Sequence, residues 1–209
     1  GETAFAISSA CSSNGVSTLL ACPPEKKFEG MAAGPFRWLL ALAMPLMKKF
    51  GAGRPETAAL DRDTLAAGPF GVVVAPLAGL QAGTIMKAAL DGSFESGLLS
   101  RSAKALMFAV VARTLGCPHC EAAATRLLLE DGFGQADIDS AMATLRSPRL
   151  AQGEAGLLAW ARDTVYYEPS SIQQKTRALG AELGAAALLE AIGVASLANA
   201  TVRLAMLLE

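Results

Sequence analysis

Gly116-Cys117-Pro118-His119-Cys120 lies between two apolar runs, Ser102–Leu115 before it and Glu121–Leu129 after it. The reading of this junction decides the fold. A helix ending at Leu115, a turn at Gly116 and a new helix opened by Cys117 as N-cap account for every residue in it. Pro118 then occupies the first helical position, where a missing N–H costs nothing and a fixed φ suits the helix. Both sulfurs fall in the first turn, beside unpaired backbone N–H groups and the positive end of the helix dipole. A thiolate is stabilised there, and the C-x-x-C spacing lets a disulfide close and reopen by thiol exchange. Two other readings exist: a zinc half-site, or two idle buried cysteines. Zinc normally takes four ligands, and the chain has one histidine and no second C-x-x-C.

Working outward, the pattern is helical throughout. Ser100 or Ser102 suits the N-cap of the helix before the cysteines. Leu106, Met107, Phe108, Val110, Val111 and Leu115 cover most of that helix's circumference, which predicts a central, buried position. Downstream, Glu130–Gly134 is a helix end and turn. Gln135–Leu145 predicts a short helix with Ile138, Met142 and Leu145 on one face, broken by Ser147-Pro148. Glu154–Tyr167, Ile172–Leu179 and Ala185–Leu208 predict three more helices. No period-2 series indicates a sheet. Upstream, a helix is expected near Leu77–Leu90, closed by Asp91-Gly92, with a short extended piece at Val72–Ala75. The fold class is therefore all-α.

The first 60 residues read as a separate helical segment, an appendage or interface arm, and residues 61–209 as the main domain. Residues 3–22 form an Ala/Ser-rich run stopped by Pro23-Pro24, and Phe36–Phe50 a strongly apolar one interrupted by Pro45. Cys11 and Cys22 have no nearby His or acid and suit small core positions. A weak repeat relates Ala6-Ile7, Ala10, Asn14 and Leu19 to Ala191-Ile192, Ala195, Asn199 and Leu204.

Composition narrows the functional classes. Of 209 residues, 52% are hydrophobic and 18% charged, with a net charge of −1. This balance offers no handle for nucleic acid or an anionic membrane surface. Such an apolar chain, with the uncharged Trp38–Met47 run, predicts a homo-oligomer. Thr64–Met86 lacks charge and is long enough to span a bilayer, but its glycines and prolines argue against one unbroken lipid-facing helix. No basic-then-apolar leader pattern is seen at the N-terminus, and Phe5 breaks the myristoylation pattern. Four cysteines do not make a disulfide scaffold, so a cytoplasmic, reducing location is expected.

The run Ser102–Cys120 resembles the core of alkylhydroperoxidase D-like proteins, members of the carboxymuconolactone decarboxylase superfamily. Ala159-Trp160-Ala161-Arg162-Asp163, Glu168-Pro169, and a last helix with Asn199 and Arg203 extend the likeness over roughly residues 76–209. The resemblance implies a dithiol oxidoreductase acting on a small-molecule peroxide or a partner disulfide. Electrons would come from an external thiol donor, with no metal, flavin or nucleotide cofactor. It also implies a proton relay from an acid and a histidine, but those family positions hold Ala105 and Ala124 here. Only Cys117 and Cys120 carry over.

His119 is the candidate substitute, near both sulfurs and able to shuttle a proton. Glu121, Tyr166 and Tyr167 are further candidate donors. Among the two sulfurs, Cys117 is expected to attack and Cys120 to resolve, because an N-cap sulfur can accept from the N–H groups of His119 and Cys120. Other readings are a non-catalytic or redox-sensing protein, decarboxylase-type chemistry on a lactone acid, and a thioredoxin-fold disulfide oxidoreductase. The dithiol and the lack of a second histidine argue against the decarboxylase. The thioredoxin fold requires a strand just before the motif.

Overall fold

A computed structural model of the chain describes residues 58–166 and 168–208. The runs 3–22 and 36–50, the cysteines Cys11 and Cys22, and the first copy of the repeat lie outside the described residues. Among the described residues every regular element is a helix. In chain order these are α1 (Arg62–Ala66), α2 (Gly71–Val74), a 3-10 turn (Ala75–Leu77), α3 (Gln81–Glu95), α4 (Arg101–Leu115) and α5 (Pro118–Glu130). There follow α6 (Gln135–Thr144), a 3-10 turn (Gln152–Glu154), α7 (Leu157–Asp163), α8 (Pro169–Leu183) and α9 (Ala185–Leu208).

Helix α4 is the axis of the bundle. Ser100 caps it, its Oγ accepting from Ala103 N–H at 3.1 Å. All ten residues from Ala103 to Ala112 are buried, and α5, α7 and α9 pack around them. A helix apolar on all sides has to lie inside. Glu154 steadies its start from a distant turn, accepting from Ser100 N–H at 3.1 Å and from Ala151 N–H at 3.0 Å. At the other end Gly116 turns left-handed, with φ 77°, and Cys117 N–H reaches back to Ala112 O at 3.0 Å. That glycine-closed end satisfies carbonyls the helix leaves open and turns the chain directly into α5.

One charged residue sits inside this apolar axis. Lys104 is fully buried, 2.5 Å from Glu190 Oε1 on α9, and its Nζ also donates to Ser93 O at 2.7 Å and to Ser96 O. Glu190 in turn accepts from Leu99 N–H at 3.0 Å. The ion pair thus ties the end of α3, the loop after it, α4 and α9 into one knot. Helix α9 has the length and composition to cross a membrane, yet 67% of its most apolar window is buried within the protein. Here it is a core helix. The five α9 positions that recur in the weak repeat, Ala191, Ile192, Ala195, Asn199 and Leu204, are all buried.

Two expectations upstream of α4 are corrected. Val72–Ala75 is not extended but belongs to α2 and the following 3-10 turn. Gly68 (φ 76°) and Phe70 (φ 53°) fold the chain back before it. The Phe70 ring is fully buried, stacked on Phe108 at 4.2 Å, and 6.0 Å from Phe94. That aromatic anchor holds a bulky residue in a left-handed conformation it would otherwise avoid. Gly71 is required as well, since a Cβ there would meet Ala66 O at 2.3 Å. The helix expected at Leu77–Leu90 instead begins at Gln81 and runs through Asp91-Gly92 to Glu95. The Lys87–Asp91 pair, one turn apart, and the burial of Phe94 carry it past the glycine. The predicted Glu154–Tyr167 helix is likewise shorter, Leu157–Asp163 after a 3-10 turn, while α8 is longer than expected.

Candidate dithiol site

Cys117 is the N-cap of α5 and Pro118 its first residue. Cys120 N–H donates to Cys117 Sγ at 3.4 Å, and the two Sγ atoms lie 2.7 Å apart. No disulfide joins them. A disulfide bond is about 2.05 Å long, so closure asks for a small side-chain rotation. The helical turn brings the sulfurs together, because the N-cap and the third helical residue face each other across it. Of the two N–H donors expected at Cys117, that of Cys120 is the one found there.

Burial is the feature that the motif did not announce. Cys117 is 1% exposed and Cys120 fully buried. Around them the core is apolar, and Ala105 and Ala124, where the resemblance implies an acid and a histidine, are fully buried within it. Methyl groups stand where an acid and an imidazole would need hydrogen-bonding partners.

His119 lies between the cysteines in sequence but is itself exposed. It forms one side of an apolar cleft of about 210 Å³, walled by Val72, Val73 and Pro76 from the α2 region and by Ala205 and Leu208 from α9. The imidazole is therefore the polar side chain among the apolar residues that line this depression beside the dithiol turn. Glu121 is engaged elsewhere: Arg113 Nε and Nη2 donate to its Oε1 at 2.9 and 2.6 Å. That pair clamps the end of α4 to the start of α5. Tyr166 is 63% exposed and belongs to a different depression, with Asp163, Ile172 and Lys175. Tyr167 lies outside the described residues. Asn199 is buried, donating to Thr164 Oγ1 at 3.0 Å and to Ala195 O at 2.9 Å, so it joins α9 to the end of α7.

Among the described residues no cluster of three or more His, Cys, Asp or Glu side chains is arranged to hold a metal ion. No strand precedes the motif among them, so the βαβ setting of a thioredoxin fold is not present there. The cleft walls from α2 and α9 were missed in the sequence. Val72 and Val73 stood in a stretch read as extended, and nothing local links them to a residue nearly fifty positions on.

No curated protein and no solved structure matches the chain. Residues 81–163 match the family model described as the carboxymuconolactone decarboxylase family. That interval runs from the start of α3 to the end of α7 and contains the dithiol turn, in keeping with the resemblance to alkylhydroperoxidase D-like proteins. Over those residues, fewer than half of the chain, the protein is similar to the carboxymuconolactone decarboxylase family.

Proposed function

We propose that the chain is a thiol-dependent oxidoreductase of alkylhydroperoxidase type that reduces a small hydroperoxide through Cys117 and Cys120. The observation that carries this is the pair of sulfurs 2.7 Å apart at a helix start, not joined in a disulfide. Their burial favours a small oxidant over a protein disulfide, which needs an exposed sulfur for in-line attack.

The chemistry balances without a further group. The Cys117 thiolate attacks the peroxide's terminal oxygen and the O–O bond breaks. The alkoxide leaves as alcohol after taking a proton, for which His119, in the lining of the cleft, is the proposed donor. The Cys117 sulfenic acid then meets the Cys120 thiol, forming the disulfide and releasing water. Two equivalents of an external thiol reduce that disulfide and leave as their own disulfide. Cys117 attacks first in this scheme because the Cys120 N–H points at its sulfur. The protein is proposed to work as a homo-oligomer.

Ala105 and Ala124 favour a second reading, in which the dithiol senses oxidant without rapid turnover. A kinetic assay separates the two. Hydroperoxide consumption with dithiothreitol as reductant is expected in wild type, lost in Cys117→Ser, and retained at a lower rate in Cys120→Ser, where dithiothreitol has to reduce the Cys117 sulfenic acid directly. A single stoichiometric oxidation without turnover would select the sensor, and retained turnover in Cys117→Ser would remove both.

A further inference from the structure

Both sulfurs of the dithiol are shut in, with Cys117 1% exposed and Cys120 fully buried. A cycle of oxidation and reduction nevertheless brings an external thiol to one of them. On the proposed dithiol chemistry, a thiolate attacks Cys117 Sγ in line with the Sγ–Sγ bond. That bond breaks, and Cys120 leaves as a thiolate and takes a proton. A second external thiol then frees Cys117 and leaves joined to the first as their disulfide, so two thiols supply the two electrons. The turn around Cys117 has to open for each reduction.

A surface ion pair lies across that turn. Arg113, in the last turn of α4, and Glu121, in the first turn of α5, stand four residues before and four after Cys117. Each suits its own helix end, a cation at the negative pole and an anion at the positive one. They also meet, with Arg113 Nε and Nη2 both donating to Glu121 Oε1, so the pair bridges the turn that has the N-cap cysteine at its centre. Beneath this bridge the first turn of α5 is lightly anchored. Pro118 and His119 are exposed, and after Cys120 the next buried side chain of α5 is Ala123. Gly116 is the natural hinge: it is exposed, has open space around it, and carries no Cβ to restrict its backbone. At the far end of the same two helices Arg101 Nε holds Asp131 Oδ1 at 3.1 Å, which confines any parting to the dithiol end. We infer that Arg113 and Glu121 are positioning residues that strap the dithiol turn shut. Cys117 meets its external thiol when the strap parts and the first turn of α5 lifts from α4 about Gly116. With side chains 46% and 26% exposed, the pair is weak enough to part often and is screened by salt.

Alkylation of Cys117 by iodoacetamide in the reduced full chain tests this, read by mass on the peptide that holds both cysteines. Wild type, Arg113→Gln and Glu121→Gln are compared at a pH where the rate no longer rises with pH. Both variants are expected to react about two- to fivefold faster, the factor that one exposed ion pair supplies. Raising the salt from about 20 mM to about 0.5 M should bring the wild type toward the variants and leave the variants unchanged, because the reagent is neutral and the variants have no pair to screen. Amide exchange in 106–111 should match in all three proteins, which separates a lifted turn from a loosened core. If one variant loses that protection, the other variant and the salt series carry the test. Equal rates in the three proteins overturn the inference. So do rates that move in opposite directions, since the two charges would then act on the sulfur's reactivity and not on its exposure. The assay uses no peroxide, so a wild type that fails to turn over hydroperoxide would count against the proposed function and leave this result standing.

Discussion

Lys104 Nζ and Glu190 Oε1 stand 2.5 Å apart with neither side chain open to solvent, 86 positions apart in the sequence. A buried ion pair is weak evidence of net stability, but breaking one by removing a single partner is costly, because the other charge is left buried. Lys104→Met is therefore expected to destabilise the protein by about 3–5 kcal/mol. Adding Glu190→Gln removes the stranded charge and should recover at least about 1 kcal/mol. Urea denaturation of the two single variants and the double gives the coupling. Purely additive losses would contradict the reading.

Two glycines near the site should respond differently to alanine. At Gly71 a Cβ runs into backbone, with Ala66 O at 2.3 Å and Leu65 O at 2.7 Å, so α2 has to shift. At Gly116 there is open space, and the left-handed φ of 77° is the sole obstacle. Gly116→Ala is expected to cost about 1–2 kcal/mol. Gly71→Ala should cost more than that and should also slow reaction with hydroperoxide, because Val72 and Val73 wall the cleft. Equal midpoints in thermal melts of the two variants would show that the contact at Gly71 is relieved freely.

His119 is the one imidazole in the chain and is exposed at the cleft beside the dithiol turn. If it protonates the leaving alkoxide, His119→Gln should lower the rate of hydroperoxide reduction by about 10²-fold. Alkylation of Cys117 by a neutral reagent, which needs no leaving-group proton, should change far less. A matching fall in both rates would give His119 a positioning role at the helix start instead.

Mild oxidation should remove two thiols, mapped by digestion to the peptide holding Cys117 and Cys120, with Cys11 and Cys22 still reduced. Thiol counting in denaturant before and after oxidation measures this. Loss of all four, or of none, would show that proximity at 2.7 Å does not decide which sulfurs pair.

What could be read from the sequence was local chemistry. Ser100, Gly116, Cys117 and Pro118 each fix a helix boundary through their own backbone or side-chain preferences, and each stands where those preferences place it. The burial of α4 followed from its all-round apolar surface. The failures share a different cause. The β-branched Val72–Val74 run is drawn into helix by Phe70 stacking on Phe108, a partner 38 residues away. Asp91-Gly92 looks like a helix stop until Phe94 is seen to be held in the core. Nothing local to Lys104 announces its burial, because the Glu190 that neutralises it lies on the last helix. The dithiol motif was visible for the same local reason as the caps. The cleft beside it was not, since its walls come from both ends of the described chain.

The most direct test of the account is trapping the first oxidised sulfur. Cys120→Ser, treated with one equivalent of hydroperoxide in the presence of dimedone, should give a single sulfenic acid adduct on Cys117, whereas Cys117→Ser should give none on Cys120 at the same time point. An adduct that forms on Cys120 in Cys117→Ser, as fast as or faster than on Cys117 in the other variant, would contradict attack from the helix N-cap. No adduct on either sulfur would contradict peroxide reduction by this dithiol altogether.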